Sequence, residues 1–229
     1  MRAVLYGAGQ VGAMVSYILS YRSDLEIVAV VDDDPATHGG CVDAARVIGG
    51  AEELPALLAD GADHTIVCIG DNRLRLGLSR RMQAMGFSLL NAIHPTANIS
   101  PRTRLGSGLI IGAGVTLYVN PVIGDCVYLD ACAVVSHDTV IGDGVLISTG
   151  AVVSARVDVG DCALIGVGAN VMTPKWGQGA RLRIGRDAIV GVGAAVVDDV
   201  PDNAIAVGVP ARVIRYRGDG PQSASSTGS

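Results

Sequence analysis

Rings are what this chain has least of. One Phe, one Trp and six Tyr make up only 3% of its 229 residues, whereas glycine occurs 31 times. A core of stacked aromatics is therefore excluded, and a narrow interior of Val, Ile and Ala is what this composition can fill. Long apolar runs are also missing: none reaches 18 residues, and the first is broken at once by Gly7-Ala8-Gly9-Gln10, which argues against a membrane span or a secretory signal. Positive charge is short as well. The net charge is −5 and the pI about 5.2, so no broad basic face for nucleic acid or anionic lipid is expected. The five cysteines (Cys41, Cys68, Cys126, Cys132, Cys162) form no CxxC pair and read as reduced thiols of a cytoplasmic protein, not as metal ligands.

What is present in abundance is a period of six. Every sixth residue from Ile93 to Val171 is aliphatic without a miss: Ile93, Ile99, Leu105, Ile111, Leu117, Ile123, Leu129, Val135, Ile141, Ile147, Val153, Val159, Ile165 and Val171. Two places earlier the residue is mostly small, as at Ala97, Thr103, Ala133, Ala151 and Ala163, and the place after is often Gly or Ser. Two inward side chains flanking one outward residue fit a very short strand, and a corner every six residues coils such strands into a prism. Hexapeptide periodicity is the signature of a parallel β-helix. Each buried aliphatic contributes about 1.5–3 kcal/mol, so slipping fourteen of them by one residue would forfeit on the order of 20–40 kcal/mol. The phase is lost after Val171 and resumes at Ile184, Val190 and Val196, which predicts a loop over Met172 to Arg183, containing Pro174 and Trp176.

The first 92 residues have another rhythm. Ala3 to Tyr6 reads as a buried strand and Gly7-Ala8-Gly9-Gln10-Val11-Gly12 as a turn into a helix ending near Tyr21. A second strand follows from Glu26 to Val31 and ends at Asp32-Asp33-Asp34-Pro35. Asp32 lies twenty residues after Gly12, the arrangement in which glycines admit phosphates to the backbone and the acid bonds a ribose hydroxyl; a turn-forming acid is the alternative. A glycine-rich loop from Gly39 to Gly50, a short helix near Glu52 to Ala59, a strand from His64 to Ile69, a turn at Gly70, a helix from Leu74 to Met85 and a strand from Ser88 to Ile93 complete the unit. Four strands are too few for both halves of a dinucleotide fold, so one nucleotide is expected and NAD is not.

These pieces together resemble the bacterial sugar O- and N-acetyltransferases built on hexapeptide repeats, which include sialic acid O-acetyltransferases and the acetyltransferases of UDP-4-amino-sugars. The resembling segments are Gly7–Gly12, Val31–Pro35, Ile69–Asn72, Ile93–Ala97, Val135-Ser136-His137-Asp138 and Gly208-Val209-Pro210-Ala211. The resemblance implies a Rossmann-like α/β domain over 1–92, an all-β left-handed parallel β-helix over 93–217 and a disordered tail over 218–229. It also implies a homotrimer with acetyl-CoA as co-substrate, held in the groove between neighbours. In such enzymes the histidine at the position of His137 is the proton acceptor and Asp138 raises its basicity. Substrate contacts would fall at Gly9, Gln10, Val11, Asp32, Asp33 and Gly70, and coenzyme contacts at Leu146, Ala155, Val167 and Val192.

The residues themselves bear on this. His137 takes the third place of its hexad, just past a corner, so it points away from the filled interior, in a column with Val119 and Ala155. Imidazole, which ordinarily titrates at about pH 6.5, suits the removal of a proton from an attacking amine or hydroxyl; a corner histidine bonded across a subunit interface is the bland alternative. His94, before Pro95, reads as structural. A zinc hydratase on such a prism would need three imidazoles, and the repeats hold only His94 and His137. The expected activity is acetyl transfer to an amine or hydroxyl of a nucleotide-linked sugar; the alternatives are a free-sugar O-acetyltransferase and a nucleotide-binding trimer without chemistry.

Overall fold

The computed structural model describes residues 1–173 and 180–218. In chain order its first part runs β1 (Arg2–Tyr6), α1 (Gln10–Leu19), β2 (Glu26–Val31), β3 (Cys41–Val42), β4 (Ala45–Gly49), α2 (Leu54–Ala59), β5 (His64–Val67), α3 (Asn72–Ala84) and β6 (Ser88–Leu89). The strands lie in the order β3-β4-β2-β1-β5-β6, parallel except for the β3–β4 hairpin. Alternation sends Leu5, Val30 and Ile66 to one face, against α1, and Val4, Val31 and Val67 to the other, against Leu54 of α2 and Met82 of α3. The strand order reverses between β1 and β5. The loops leaving those two strands therefore diverge and open a crevice at the C-terminal edge of the sheet.

Two expectations change here. The glycine-rich stretch holds a hairpin rather than a loop, because Ala45, Val47 and Gly49 alternate inward and β2 supplies the pairing partner. The strand expected over Ser88 to Ile93 is split: Ser88–Leu89 closes the sheet, while Ala92–Ile93 opens the prism. Asn91 holds the crossover by donating to the Gly106 carbonyl at 2.9 Å and accepting from Leu109 N at 3.0 Å. The sheet thus has six strands, not four.

From Ala92 onward the chain winds as a three-sided parallel β-helix. One face stacks Ile110–Ile111, Tyr128–Leu129, Leu146–Ile147, Leu164–Ile165 and Ile189–Val190, and the other two faces repeat the arrangement. Residues 18 apart pair, as in Ile111↔Leu129, Leu117↔Val135 and Ile123↔Ile141. The expected hexad residues from Ile111 onward are buried. Leu105 is 37% exposed, and Ile93 and Ile99 are only half-buried, because the first coil has no coil beneath it. Corners turn at the fourth place of the hexad, where Asn120, Cys126, Cys132, Asp138, Arg156 and Cys162 all have φ between 56° and 62°.

After Val171 the register resumes with Val157–Val159 pairing Leu182–Ile184. Leu182 and Arg183 therefore belong to a strand and not to the expected loop, since Leu182 supplies the inward residue two places before Ile184. Pro174 and Trp176 of that loop, and the expected tail after Gly218, lie outside the described residues. The prism closes on Ala204–Val207, which pairs antiparallel with Arg212–Tyr216. Among the described residues no helix is long and apolar enough to cross a membrane.

Candidate active site

His137 and Asp138 sit at the corner after the strand Val134–Val135. The left-handed turn at Asp138 throws the pair outward, leaving the His137 side chain 56% exposed. Nδ1 of His137 lies 2.9 Å from Oδ2 of Asp138. A ring nitrogen facing a carboxylate favours carrying a proton, and in the neutral ring that arrangement leaves the Nε2 lone pair available. The other carboxylate oxygen accepts from Asn120 Nδ2 at 3.4 Å. These two bonds, the histidine's first, hold the Asp138 carboxyl below the usual carboxylate range, and it is anionic at neutral pH. Arg181 fixes the corner from behind: its Nη2 donates to the Asp138 carbonyl at 2.9 Å while its fork grips Asp158 at 2.6 and 2.8 Å. An oriented imidazole with an anionic partner and a second nitrogen unbonded among the described residues can act as a base.

The crevice of the α/β domain is shaped by close approach. Gly7 has φ 114°, and a Cβ there would meet the Cys68 carbonyl oxygen at 2.7 Å and Ile69 Cγ1 at 3.3 Å. The turn after β1 and the turn after β5 therefore form two adjoining walls. Gly9 and Gly70 face open space, Gln10 is exposed and Val11 half-buried. Gly9 caps α1 with no side-chain bond, and no acid occupies the first turn. Both acids, Asp32 and Asp33, accept hydrogen bonds from the protein, one at each oxygen. Asp32 accepts from Ala8 N at 2.7 Å through Oδ2 and from Asp34 N at 2.9 Å through Oδ1, which ties the glycine turn to the end of β2. Asp33 accepts from the Tyr6 hydroxyl at 2.6 Å and from Ala51 N at 3.0 Å; the tyrosine bond, foremost among several causes, lowers its carboxyl, while burial and then that acid raise the Tyr6 phenol.

The coenzyme positions separate into three places. Ala155 is buried in the column of His137, one coil on. Val167 and Val192 are exposed and stacked on a different corner, the one after Leu164–Ile165, where Gly193 N donates to the Val167 carbonyl at 2.9 Å. Leu146 packs into the seam between the domains, against a cluster that holds Tyr128, Val11 and Met14. A single chain thus brings together His137, Asp138 and Ala155 and leaves the other three elsewhere. A groove of about 520 Å³ runs along the third face past Asp158, Arg183 and Arg186; neither His137 nor the crevice lines it. Asn120 and Arg181 were not legible as site residues. Asn120 had a signal, since it stands one 18-residue coil before Asp138; Arg181 had none, because it follows a stretch without repeat phase.

Comparison with known proteins supplies the family. Residues 2–82 match the PglD N-terminal domain, and residues 120–155 match the bacterial transferase hexapeptide (six repeats). The perosamine N-acetyltransferase PerB of Caulobacter crescentus, solved with CoA and GDP-perosamine, is 38% identical; the match covers 93% of this chain and 97% of that one, with a TM-score of 0.84. The chain belongs to the bacterial sugar acetyltransferase family with hexapeptide repeats. Two further members of this family resemble it over the same 93%. The acetyltransferase domain of PglB from Neisseria gonorrhoeae is 29% identical over 99% of its length, with a TM-score of 0.83, and a structure of that domain holds acetyl coenzyme A. WeeI from Acinetobacter baumannii is 26% identical over its full length, also at 0.83. No curated protein sequence matches the chain.

Proposed function

We propose that this protein is an acetyl-CoA-dependent N-acetyltransferase for a nucleotide-linked amino sugar, working in the cytoplasm as a homotrimer with its sites between subunits. The carrying observation is the His137–Asp138 pair, projected outward from a prism corner, with no hydrogen bond to Nε2 among the described residues. We read the prism as a left-handed β-helix and the N-terminal sheet as a Rossmann-like nucleotide site, which suits family membership and the strand reversal beside β1. The open N-terminus of α1 suits a diphosphate, with Gly9, Gln10, Val11 and Gly70 along the nucleotide and with Asp32 and Asp33 shaping the turn. A free sugar would leave that crevice without a task. A second prism alongside would bring its apolar Val167–Val192 corner opposite His137 and so form a seam for the coenzyme.

The chemistry is then short. The sugar amine attacks the thioester carbonyl, and Nε2 of His137 takes the proton that the nitrogen sheds as the new C–N bond forms. Asp138 steadies the imidazolium, which returns that proton to the departing sulfur as the C–S bond breaks. Amine and thioester become amide and free thiol, with no oxidant or metal in the balance.

The test is coenzyme A thiol release across GDP-, UDP-, dTDP- and CMP-linked amino sugars, with His137→Ala beside the parent. The GDP-linked substrate comes first, since the Caulobacter relative acts on perosamine and was solved with GDP-perosamine. His137→Ala should lower kcat by about 10² or more and leave binding intact. In support, that relative has been solved with CoA and GDP-perosamine after one histidine was changed to Asn or Ala. Undiminished turnover by the variant, or no thiol release with any of the four, overturns the assignment.

A further inference from the structure

Arg75 is completely buried in the seam between α3 and the prism. Its five N–H groups are all spent. Nε donates to the Cys126 carbonyl at 2.9 Å, Nη1 to the Ile69 and Gly70 carbonyls at 3.0 and 3.3 Å, and Nη2 to Asn72 Oδ1 and the Gly144 carbonyl, both at 2.9 Å. No carboxylate is among these hydrogen-bond partners, so the charge is held by carbonyl dipoles, an amide oxygen and the face of the Tyr128 ring 6.0 Å away. A buried charge is a poor route to stability when an apolar side chain of similar volume would serve. What the guanidinium provides instead is a rigid fork with fixed directions.

The groups on that fork have separate tasks. Ile69 packs beside Gly7 in the crevice wall, and Gly70 follows it facing open space. Cys126 and Gly144 are corner residues of successive prism coils, both at positive φ. Neighbours on α3 extend the grip upward: Asn72 Nδ2 donates to the Cys162 and Ala163 carbonyls at 3.1 and 3.0 Å, and Arg73 Nε to Asp187 Oδ1 at 2.6 Å. The side-chain hydrogen bonds of Arg75 reach both the crevice wall and the prism. One guanidinium thus ties the wall to two coils.

We propose that Arg75 is a positioning residue for acetyl transfer, its fork setting the height of the Ile69–Gly70 wall against the prism and hence where the tethered amine meets the catalytic corner. This rests on the nucleotide-sugar activity proposed above. Misplacement by about 1 Å costs on the order of 10²-fold in rate, so the fork acts on kcat. Lysine keeps the charge but cannot reach both domains with three donors on one nitrogen.

The experiment compares Arg75→Met, Arg75→Lys and Arg73→Ala with the parent enzyme, on whichever nucleotide-linked amino sugar the parent acetylates. Readouts are kcat, KM, the dissociation constant for CoA alone and the melting temperature. Both Arg75 variants should lose about 10–100-fold in kcat with CoA affinity unchanged. Arg73→Ala, which loosens the same helix without touching the wall, should keep kcat within about twofold. Arg75→Met turning over within about threefold of the parent overturns the inference, as does an equal loss in Arg73→Ala. If neither Arg75 variant folds, the residue is structural only and the inference also falls. A parent that acetylates none of these sugars overturns the functional proposal itself and takes this inference with it.

Discussion

Gly142 and Gly150 belong to one coil of the prism, yet alanine should be tolerated very differently at the two. A Cβ on Gly142 would lie 2.5 Å from Asp161 Oδ1, 2.8 Å from Asp161 N and 3.0 Å from the Val159 carbonyl oxygen. The coil above cannot retreat, because Gly142 N donates to that carbonyl at 2.8 Å and Asp143 N to Asp161 Oδ1 at 3.0 Å. Overpacking of this kind costs about 1–3 kcal/mol, and losing the Asp161 bond costs about 1 kcal/mol more. Gly142→Ala should therefore destabilise by about 2–4 kcal/mol. Gly150 has φ 65° but open space around it, and Cys132 adopts φ 59° in the same column, so Gly150→Ala should cost only about 1 kcal/mol. At about 2–4 °C per kcal/mol for a chain of this size, the expected falls in Tm are about 5–15 °C and about 2–4 °C. Circular-dichroism melts at one fixed protomer concentration provide the comparison, because association shifts Tm by mass action. Equal shifts, or a larger one for Gly150→Ala, would refute the account of how coils stack.

Three further outcomes follow from named contacts. Ile147→Ala, which empties a fully buried site in the prism core, should destabilise by about 2–5 kcal/mol, read from denaturant midpoints. Asp138→Asn removes the anion from the His137 bond and should lower kcat about 10–100-fold with unchanged CoA affinity by calorimetry; a variant as fast as the parent would show that the acid has no part in orienting the ring. Asp187 is bonded by Arg73, and that bond, ahead of any other cause, lowers its carboxyl. A depressed folded pKa adds stability above the unfolded value near 4, which is lost as pH falls through the folded one. Asp187→Asn should therefore lower Tm at pH 7 by a margin that narrows between about pH 5 and pH 2; a constant margin would contradict it.

Sequence alone determined the prism. A period of six combined with strand alternation leaves one register that buries the aliphatic set, and Ile111, Leu129 and Ile147 pair and stack in that register. The corner at His137 was legible for the same reason, because a residue's place in the hexad dictates whether its side chain turns in or out. The hairpin Cys41–Gly49 was not legible: its strands are short and flanked by glycine pairs, and only pairing with β2 makes β4 a strand.

Tertiary structure decided everything that depends on which faces meet. Leu146 occupies an outward place like many others in the repeat, and it is covered because α1 lies against that face. Asp32 stands where a ribose contact is expected, and only the fold shows that its carboxylate also accepts from Ala8 N at 2.7 Å. Arg75 looks like any basic residue on a helix, and it is buried because β5, α3 and two prism corners converge on it. A local period encodes the direction of a side chain relative to its own strand or helix. It carries no information about the surface brought up against that side chain, and here that surface sets the burial of Leu146 and Arg75 and the hydrogen bonds of Asp32.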